Sequence, residues 1–158
     1  MRILGIDPGT GITGFGVIDV AKGKYRLIDA GVVRTPAKTP MQERLETIYD
    51  NISEIIREHQ PQVMSIEKLF FAQNVTTAMT VSQARGVVLL CGQQAKMQIY
   101  GYTPLQIKQT VTGYGKAEKS QVQEMVRVLL GLSEVPKPDD CADAIAAAIT
   151  HAMHTRQS

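Results

Sequence analysis

Four carboxylates stand where strands or helices are predicted to begin or end, and together they could build one site. Asp7 closes the first apolar strand, within the segment GIDPGTGITGFGVID at residues 5–19. Glu67 closes a later apolar strand. Asp140 and Asp143 are three residues apart at the start of the last predicted helix, so they share one face of it. If the two strands are parallel neighbours, both strand-end acids lie at the same edge of the sheet.

A bound divalent cation would offset the repulsion between these carboxylates. Carboxylates that lie close together repel each other, so a bare cluster is costly. Oxygen ligands without His or Cys suit Mg²⁺ or Mn²⁺, and the pattern therefore indicates a divalent-metal site on rigid strand ends. Each acid could also have a simpler role. An Asp before Pro-Gly is commonly a turn residue, and acids at a helix start cap the helix or favour its dipole, which is the interpretation favoured for Asp139.

The elements that must position these acids follow from the apolar patterns along the chain. Three closely joined strands at 2–7, 12–19 and 25–34 predict an antiparallel meander. A helix then begins with Thr39 as its cap and Gln42 as the capping-box partner. The remaining predicted elements are a strand at 63–67, a helix at about 75–96, a strand at 98–102, a short helix at 104–110, a loop at 112–116, a helix capped by Ser120 with Gln123, and a last helix from Asp139 or Asp140 to about His154.

This order, β-β-β-α-β-α-β-α-α-α, predicts an α/β fold. Because helices cross over before the fourth and fifth strands, both strands can lie parallel to the first. We expect a five-stranded mixed sheet flanked by helices on both faces. The length of 158 residues predicts a single domain over residues 1–158.

Composition is typical of a soluble globular protein and argues against several other classes. The chain is 44% hydrophobic and 20% charged, which are ordinary values. No apolar stretch is long enough to cross a membrane, and the N-terminus does not resemble a signal peptide, so the cytosol is the expected compartment. Cys91 and Cys141 form no CxxC and no Cys/His cluster, which argues against a zinc site or a disulfide. The net charge of +2 permits nucleic-acid binding without arguing for it.

Five segments, taken together, match the motifs of one known family in order over nearly the whole chain. They are GIDPG at 5–9, IE at 66–67, QARGV at 83–87, KQTVTGYGKAEKSQVQEMV at 108–126 and DCADAIAAAITH at 140–151. This set resembles the RuvC family of bacterial Holliday-junction resolvases. The resemblance implies an RNase H-like fold and a homodimer. It also implies a Mg²⁺-dependent endonuclease that resolves four-way DNA junctions by two symmetric nicks in recombination and repair, with a branch-migration helicase complex of the RuvA–RuvB type as a further partner.

By this resemblance the catalytic acids, which are also the metal ligands, are Asp7, Glu67, Asp140 and Asp143. The fourth position is His in some relatives, so Asp143 implies a site made only of carboxylates. The implied mechanism is two-metal hydrolysis with two Mg²⁺ ions per subunit, for which Mn²⁺ can substitute. The implied products carry 5′-phosphate and 3′-hydroxyl ends.

Basic and aromatic residues near the acids are the candidate DNA contacts. Lys108, Lys116 and Lys119 flank a glycine-rich loop that contains Tyr114, and lysines can neutralise phosphates. Three lysines are more often a solvated surface, but the resemblance favours phosphate contact for Lys108 and Lys119. It also places Phe70 where an aromatic ring stacks on junction bases. Tyr114 is a further candidate for strand contact.

The small residues of the helix at 75–96 are compatible with close helix packing. Gly86 and Gly92 could serve a dimer interface or packing within one subunit. Arg85 could meet DNA or a partner subunit, and the sequence leaves both open.

Two other function classes compete with the nuclease. The first segment also looks like the first phosphate loop of the actin and sugar-kinase superfamily. Those kinases need a second related domain, for which 158 residues leave no room, and no second Asp-x-Gly loop is present. A catalytically inactive junction-binding module is the other alternative, and the presence of all four acids argues against it.

Overall fold

The computed structural model describes residues 1–68 and 75–156. Within these residues the element order is the predicted one. The elements are β1 Arg2–Asp7, β2 Ile12–Ala21, β3 Lys24–Arg34, α1 Met41–His59, β4 Val63–Glu67, α2 Val75–Gln94, β5 Gln98–Tyr102, α3 Pro104–Thr112, α4 Lys119–Leu130 and α5 Asp139–Arg156. Of the helices in this part of the chain, none combines the length and the apolar character that crossing a membrane requires.

The sheet has five strands in the order β3-β2-β1-β4-β5. The first three form the predicted antiparallel meander, while β4 and β5 lie parallel to β1. The register pairs Ile6 of β1 with Ile66 of β4. Asp7 and Glu67, the next residue on each strand, therefore leave the sheet side by side at its carboxyl edge.

Helices cover both faces of the sheet, as predicted. The core on one face includes Leu4 and Met64 with buried residues of α1 and α2. The core on the other face includes Ile3 with buried residues of α3, α4 and α5. In α5 every residue from Cys141 to Ala152 is buried except Asp143. A helix buried all round needs small apolar residues, and the alanine-rich sequence supplies them.

Two glycines bring the backbone of α5 directly against the strands. A Cβ at Gly5 of β1 would lie 1.9 Å from the main-chain oxygen of Ala144, and one at Gly14 of β2 would lie 2.0 Å from the main-chain oxygen of Asp140. No larger residue fits at either position without moving the helix. On β4, the Ser65 hydroxyl donates to the Ala147 carbonyl at 2.6 Å, which fixes the helix to the middle of the sheet.

The start of α1 differs from the prediction. Thr39 makes no side-chain cap, and the cap position is taken by Pro40. The Pro40 carbonyl accepts the first helical hydrogen bonds, at 3.1 Å each, while the Thr39 N–H donates to the Pro36 carbonyl in the preceding turn. The predicted capping box of Thr39 with Gln42 is therefore wrong, because the preceding turn holds Thr39 outside the helix.

The start of α4 also differs from the prediction, and the difference affects the site. The predicted capping pair Ser120 and Gln123 is wrong, since both lie inside the helix. The cap is Glu118, whose N–H donates to the Gln121 side chain at 2.7 Å. Lys119 consequently becomes the first residue of α4 rather than a loop residue.

The end of α3 lies beyond its predicted limit. The helix continues through Thr112, and Gly113 ends it with a φ of 79°, a left-handed conformation that suits glycine. Thr112, predicted as the first loop residue, is therefore the last helical one. The loop that carries Tyr114 begins only after Gly113.

Candidate active site

Asp7 and Glu67 form a hydrogen-bonded carboxyl pair at the carboxyl edge of the sheet. Side chains alternate across a strand. Asp7 is two residues after Gly5, and Glu67 is two residues after Ser65, so both acids project to the face that α5 covers. Burial, followed by the charge of Glu67, raises the pKa of Asp7 to about 9. Burial also raises the pKa of Glu67, so the metal-free pair retains one proton at neutral pH.

The start of α5 brings the other two acids, Asp140 and Asp143, to the same edge. Gly14, which pairs with Asp7 across the β1–β2 ladder, lies directly under the backbone of Asp140. The charges of Asp143 and Asp140 both contribute to the raised pKa of Asp7. Burial raises the pKa of Asp143 as well. The structure thus gathers all four acids that the sequence singled out, from three elements.

Lys119 is placed against these acids by the start of α4. Its Nζ lies 3.2 Å from Oδ2 of Asp143 and 3.7 Å from Oδ2 of Asp139. The charges of Lys119 and Lys108 both act to lower the pKa of Glu67. Lys108 and Lys119, two of the three predicted lysines, are therefore close enough to the acids to affect their charge.

A cavity of about 240 Å³ opens beside the cluster. Its polar walls come from the acids and the two lysines, and its apolar walls from α3, α4 and α5. The lining residues are Glu67, Pro104, Ile107, Lys108, Lys119, Val122, Asp143 and Ala146. The cavity thus offers two ammonium groups, two carboxylates and an apolar wall, so a sugar phosphate would place its phosphate on the lysine side.

The other predicted DNA contacts are placed differently. Tyr114 is 56% exposed on the loop after α3, and Lys116 is exposed two residues later. Neither lines the cavity, so any contact they make with DNA would lie outside it. Phe70 lies outside the described residues.

A threonine clamp holds the turn that follows Asp7, and sequence reasoning missed it. The Thr35 N–H donates to the Gly11 carbonyl at 3.0 Å, and the Thr35 hydroxyl donates to the Thr10 carbonyl at 2.5 Å. Arg44 Nε then donates to the same Thr35 hydroxyl at 2.8 Å. The clamp joins residues distant in sequence, and nothing local marks Thr35 as more than the residue that follows β3.

The donor set fits a divalent cation, although the side chains are not in ligating positions. Among the described residues, no three His, Cys, Asp or Glu side chains are arranged to hold an ion. The contacts explain this, because Asp7 and Glu67 bond to each other and Asp143 faces Lys119. The oxygens of four converging carboxylates are nevertheless the donor chemistry of Mg²⁺ and Mn²⁺.

Comparison with known proteins identifies the family. The family model described as "Crossover junction endodeoxyribonuclease RuvC" matches residues 3–151. The chain belongs to the RuvC family. A RuvC from Fusobacterium nucleatum is 54% identical over 151 residues, which cover 96% of this chain and 80% of that protein. A RuvC from Desulfitobacterium hafniense is 56% identical over 152 residues, which cover 96% and 92% of the two chains.

Solved structures agree with this assignment. The structure of Thermus thermophilus RuvC in complex with a Holliday junction superposes with a TM-score of 0.95 at 39% identity, covering 99% of this chain and 96% of that one. A yeast mitochondrial Holliday junction resolvase gives a TM-score of 0.71 at 15% identity, which shows a shared fold alone. The predicted RNase H-like fold of the RuvC family is confirmed.

Family membership also decides between the function classes. RuvC proteins are metal-dependent crossover junction endodeoxyribonucleases. This chain is accordingly a nuclease of that class, as the sequence predicted, and the kinase interpretation is excluded.

Proposed function

We propose that this RuvC member resolves four-way DNA junctions with the site formed by Asp7, Glu67, Asp140 and Asp143. The observation that carries the proposal is the convergence of four partly buried carboxylates, from β1, β4 and α5, beside a cavity edged by two lysines. The junction as substrate is supported by the Thermus thermophilus relative, which was solved in complex with a Holliday junction. The expected products are two symmetric nicks with 5′-phosphate and 3′-hydroxyl ends.

The four acids would hold two Mg²⁺ ions per subunit, with Mn²⁺ as a substitute. When bound, the ions would supply activation of water and stabilisation of the leaving oxygen. Asp7 has to give up the proton that it shares with Glu67 before it can act as a ligand, and a nearby cation lowers its pKa and favours this loss. The strand ends and the packed start of α5 fix where the acids stand, so ordering them costs little when substrate binds.

The lysines and the cavity would position the scissile strand. Lys108 and Lys119 offer ammonium groups to phosphates on one side of the acids. The apolar wall formed with Ile107 and Val122 offers a surface for a deoxyribose. Tyr114 and Lys116, which are exposed outside the cavity, are proposed to contact the DNA strand there, and Phe70 is proposed to stack on a junction base.

The active unit is proposed to be a homodimer of single-domain subunits, since two symmetric nicks need two sites. The outer face of α2 supports this, because Met79 is 65% exposed and Leu90 is 49% exposed on it. Gly86 has open space where a Cβ would stand, which permits close approach of a second helix. The Nε of Arg85 is buried within the subunit and has no hydrogen-bond partner among the described residues, so this atom does not contribute to that exposed face. Family membership supports a cytosolic role with a branch-migration helicase complex of the RuvA–RuvB type.

A nicking assay on a synthetic mobile four-way junction tests the proposal. Wild type with Mg²⁺ should give paired nicks, and EDTA or Asp140→Asn should abolish them while junction binding remains. Asp139→Asn is the matched control, because it removes the neighbouring carboxylate of the same helix turn and should leave nicking near wild type. Junction binding without nicking by the wild type, with Mn²⁺ also tried, would establish a binding module and overturn the proposed enzyme.

A further inference from the structure

Lys119 forms an ion pair with Asp143, one of the carboxylates that the proposed metal site needs. Its Nζ lies 3.2 Å from Oδ2 of Asp143, with Asp139 slightly farther away at 3.7 Å. The side chain of Lys119 is 56% exposed and that of Asp143 is 25% exposed. The ion pair therefore lies at the mouth of the cavity, where the lysine is free to swing towards solvent or another anion.

The lysine and a divalent cation cannot share Asp143 at low cost. A Mg²⁺ ion sits about 2.0–2.1 Å from its carboxylate oxygen. An ion on Oδ2 would then be at most about 5 Å from the ammonium group of Lys119, and two like charges at that distance repel. Metal binding and the observed ion pair are consequently in competition.

The side chains of the site are arranged for the ion pair and not for a metal ion. Asp143 is turned to Lys119, and among the residues the structure describes no three potential ligands are arranged around an ion. Lys108 behaves differently. It lines the same cavity and its charge reaches Glu67, but it forms no ion pair with any described residue.

We propose that Lys119 is a built-in counter-cation, which holds Asp143 in the metal-free protein and releases it when a DNA phosphate enters the cavity. The phosphate takes over the ammonium group, and Asp143 becomes available to the metal. DNA and metal then favour each other's binding, and the coupling acts in both directions. Lys119 is in this view a positioning residue, and the inference rests on the metal site of the proposed function.

Mn²⁺ affinity of the free protein, measured by electron paramagnetic resonance or calorimetry, tests this exchange. The variants are Lys119→Met and Lys108→Met, which remove the same charge from the same cavity but differ in the ion pair. We expect Lys119→Met to bind Mn²⁺ about fivefold more tightly than Lys108→Met, the scale of a partly exposed ion pair. Equal affinities in the two variants would overturn the proposal, because bulk charge alone would then explain the change.

A second measurement follows the coupling to DNA. The partner is a four-way junction, a gel after each titration confirms that its strands are intact, and a titration of the DNA alone is subtracted. The junction should tighten Mn²⁺ binding to the wild type and to Lys108→Met, and should have little effect on Lys119→Met. Undiminished tightening in Lys119→Met would contradict the exchange. If instead the proposed metal site itself were wrong, Asp7→Asn would leave Mn²⁺ affinity unchanged in the wild type and in both lysine variants.

Discussion

Replacing Asp7 with Asn should stabilise the metal-free protein while it abolishes nicking. Burial and the charge of Glu67 raise the pKa of Asp7 to about 9, from an ordinary value of 3.8. When the pKa of an acid is higher in the folded state than in the unfolded state, the protein has its full stability below the unfolded-state pKa. The free energy of unfolding then falls as the pH rises from the unfolded-state pKa to the folded-state pKa. At neutral pH the native state must therefore keep a proton that the unfolded chain releases.

The magnitude follows from the same shift. One pKa unit corresponds to about 1.4 kcal/mol, so holding Asp7 protonated at pH 7 costs about 4 kcal/mol as an upper bound. Asp7 and Glu67 share the proton, and Asn keeps a donor for Glu67, so we expect on the order of 2 kcal/mol to be recovered. For a chain of this size that corresponds to a rise in Tm of about 4–8 °C.

Thermal unfolding in EDTA at pH 5, 7 and 9 measures the effect. The stability of the wild type should fall with rising pH more steeply than that of Asp7→Asn, and the gap should be widest at pH 9. Mg²⁺ should raise the Tm of the wild type and have much less effect on the variant. Asp139→Asn is the control, with an expected change within about 0.5 kcal/mol because this acid is exposed. A lower Tm for Asp7→Asn in EDTA at pH 7, or parallel pH slopes, would refute the reasoning.

Three further substitutions test the framework around the site. Gly14→Ala should displace Asp140, destabilise the protein by about 1–3 kcal/mol through overpacking, and lower the nicking rate more than junction affinity. Thr35→Val should cost about 1–3 kcal/mol, because it leaves the Arg44 donor without its acceptor, and should lower kcat with little change in junction Kd. Leu90→Asp should convert the proposed dimer to a monomer in light scattering, with little change in the Tm measured in dilute solution.

Three results would contradict these expectations. Wild-type nicking by Gly14→Ala would mean that α5 can retreat from the sheet without disturbing the acids. An unchanged kcat for Thr35→Val would show that the turn after Asp7 needs no clamp. A dimeric Leu90→Asp would place the subunit interface elsewhere than the outer face of α2, with Lys22→Asp as a control on a distant exposed turn.

The acids were predictable from sequence because their signals are local. Asp7 and Glu67 each end an apolar strand, and the crossover helix between those strands implies that they run parallel. Parallel neighbouring strands bring both acids to one edge, whatever contacts their side chains make. The three-residue spacing of Asp140 and Asp143 adds a shared helix face, which α5 confirms.

Contacts between distant elements were not predictable in the same way. The approach of α5 to the sheet depends on the absence of a side chain at Gly14, and a glycine within a strand can also mark a bulge or a tight bend. The pairing of Lys119 with Asp143 depends on where α4 begins, and the cap is Glu118 rather than Ser120. A boundary misplaced by one or two residues was enough to leave Lys119 in a loop and hide the ion pair.

The burial of α5 ties the integrity of the proposed catalytic site to the unfolding of the whole protein. Since every residue from Cys141 to Ala152 except Asp143 is buried, this helix cannot detach without exposing the core that it shares with the sheet. Its amide protons should therefore exchange with solvent only through global opening, among the slowest in the chain. Asp140 and Asp143, near the start of this helix, then stay in register with the strand ends for as long as the protein remains folded.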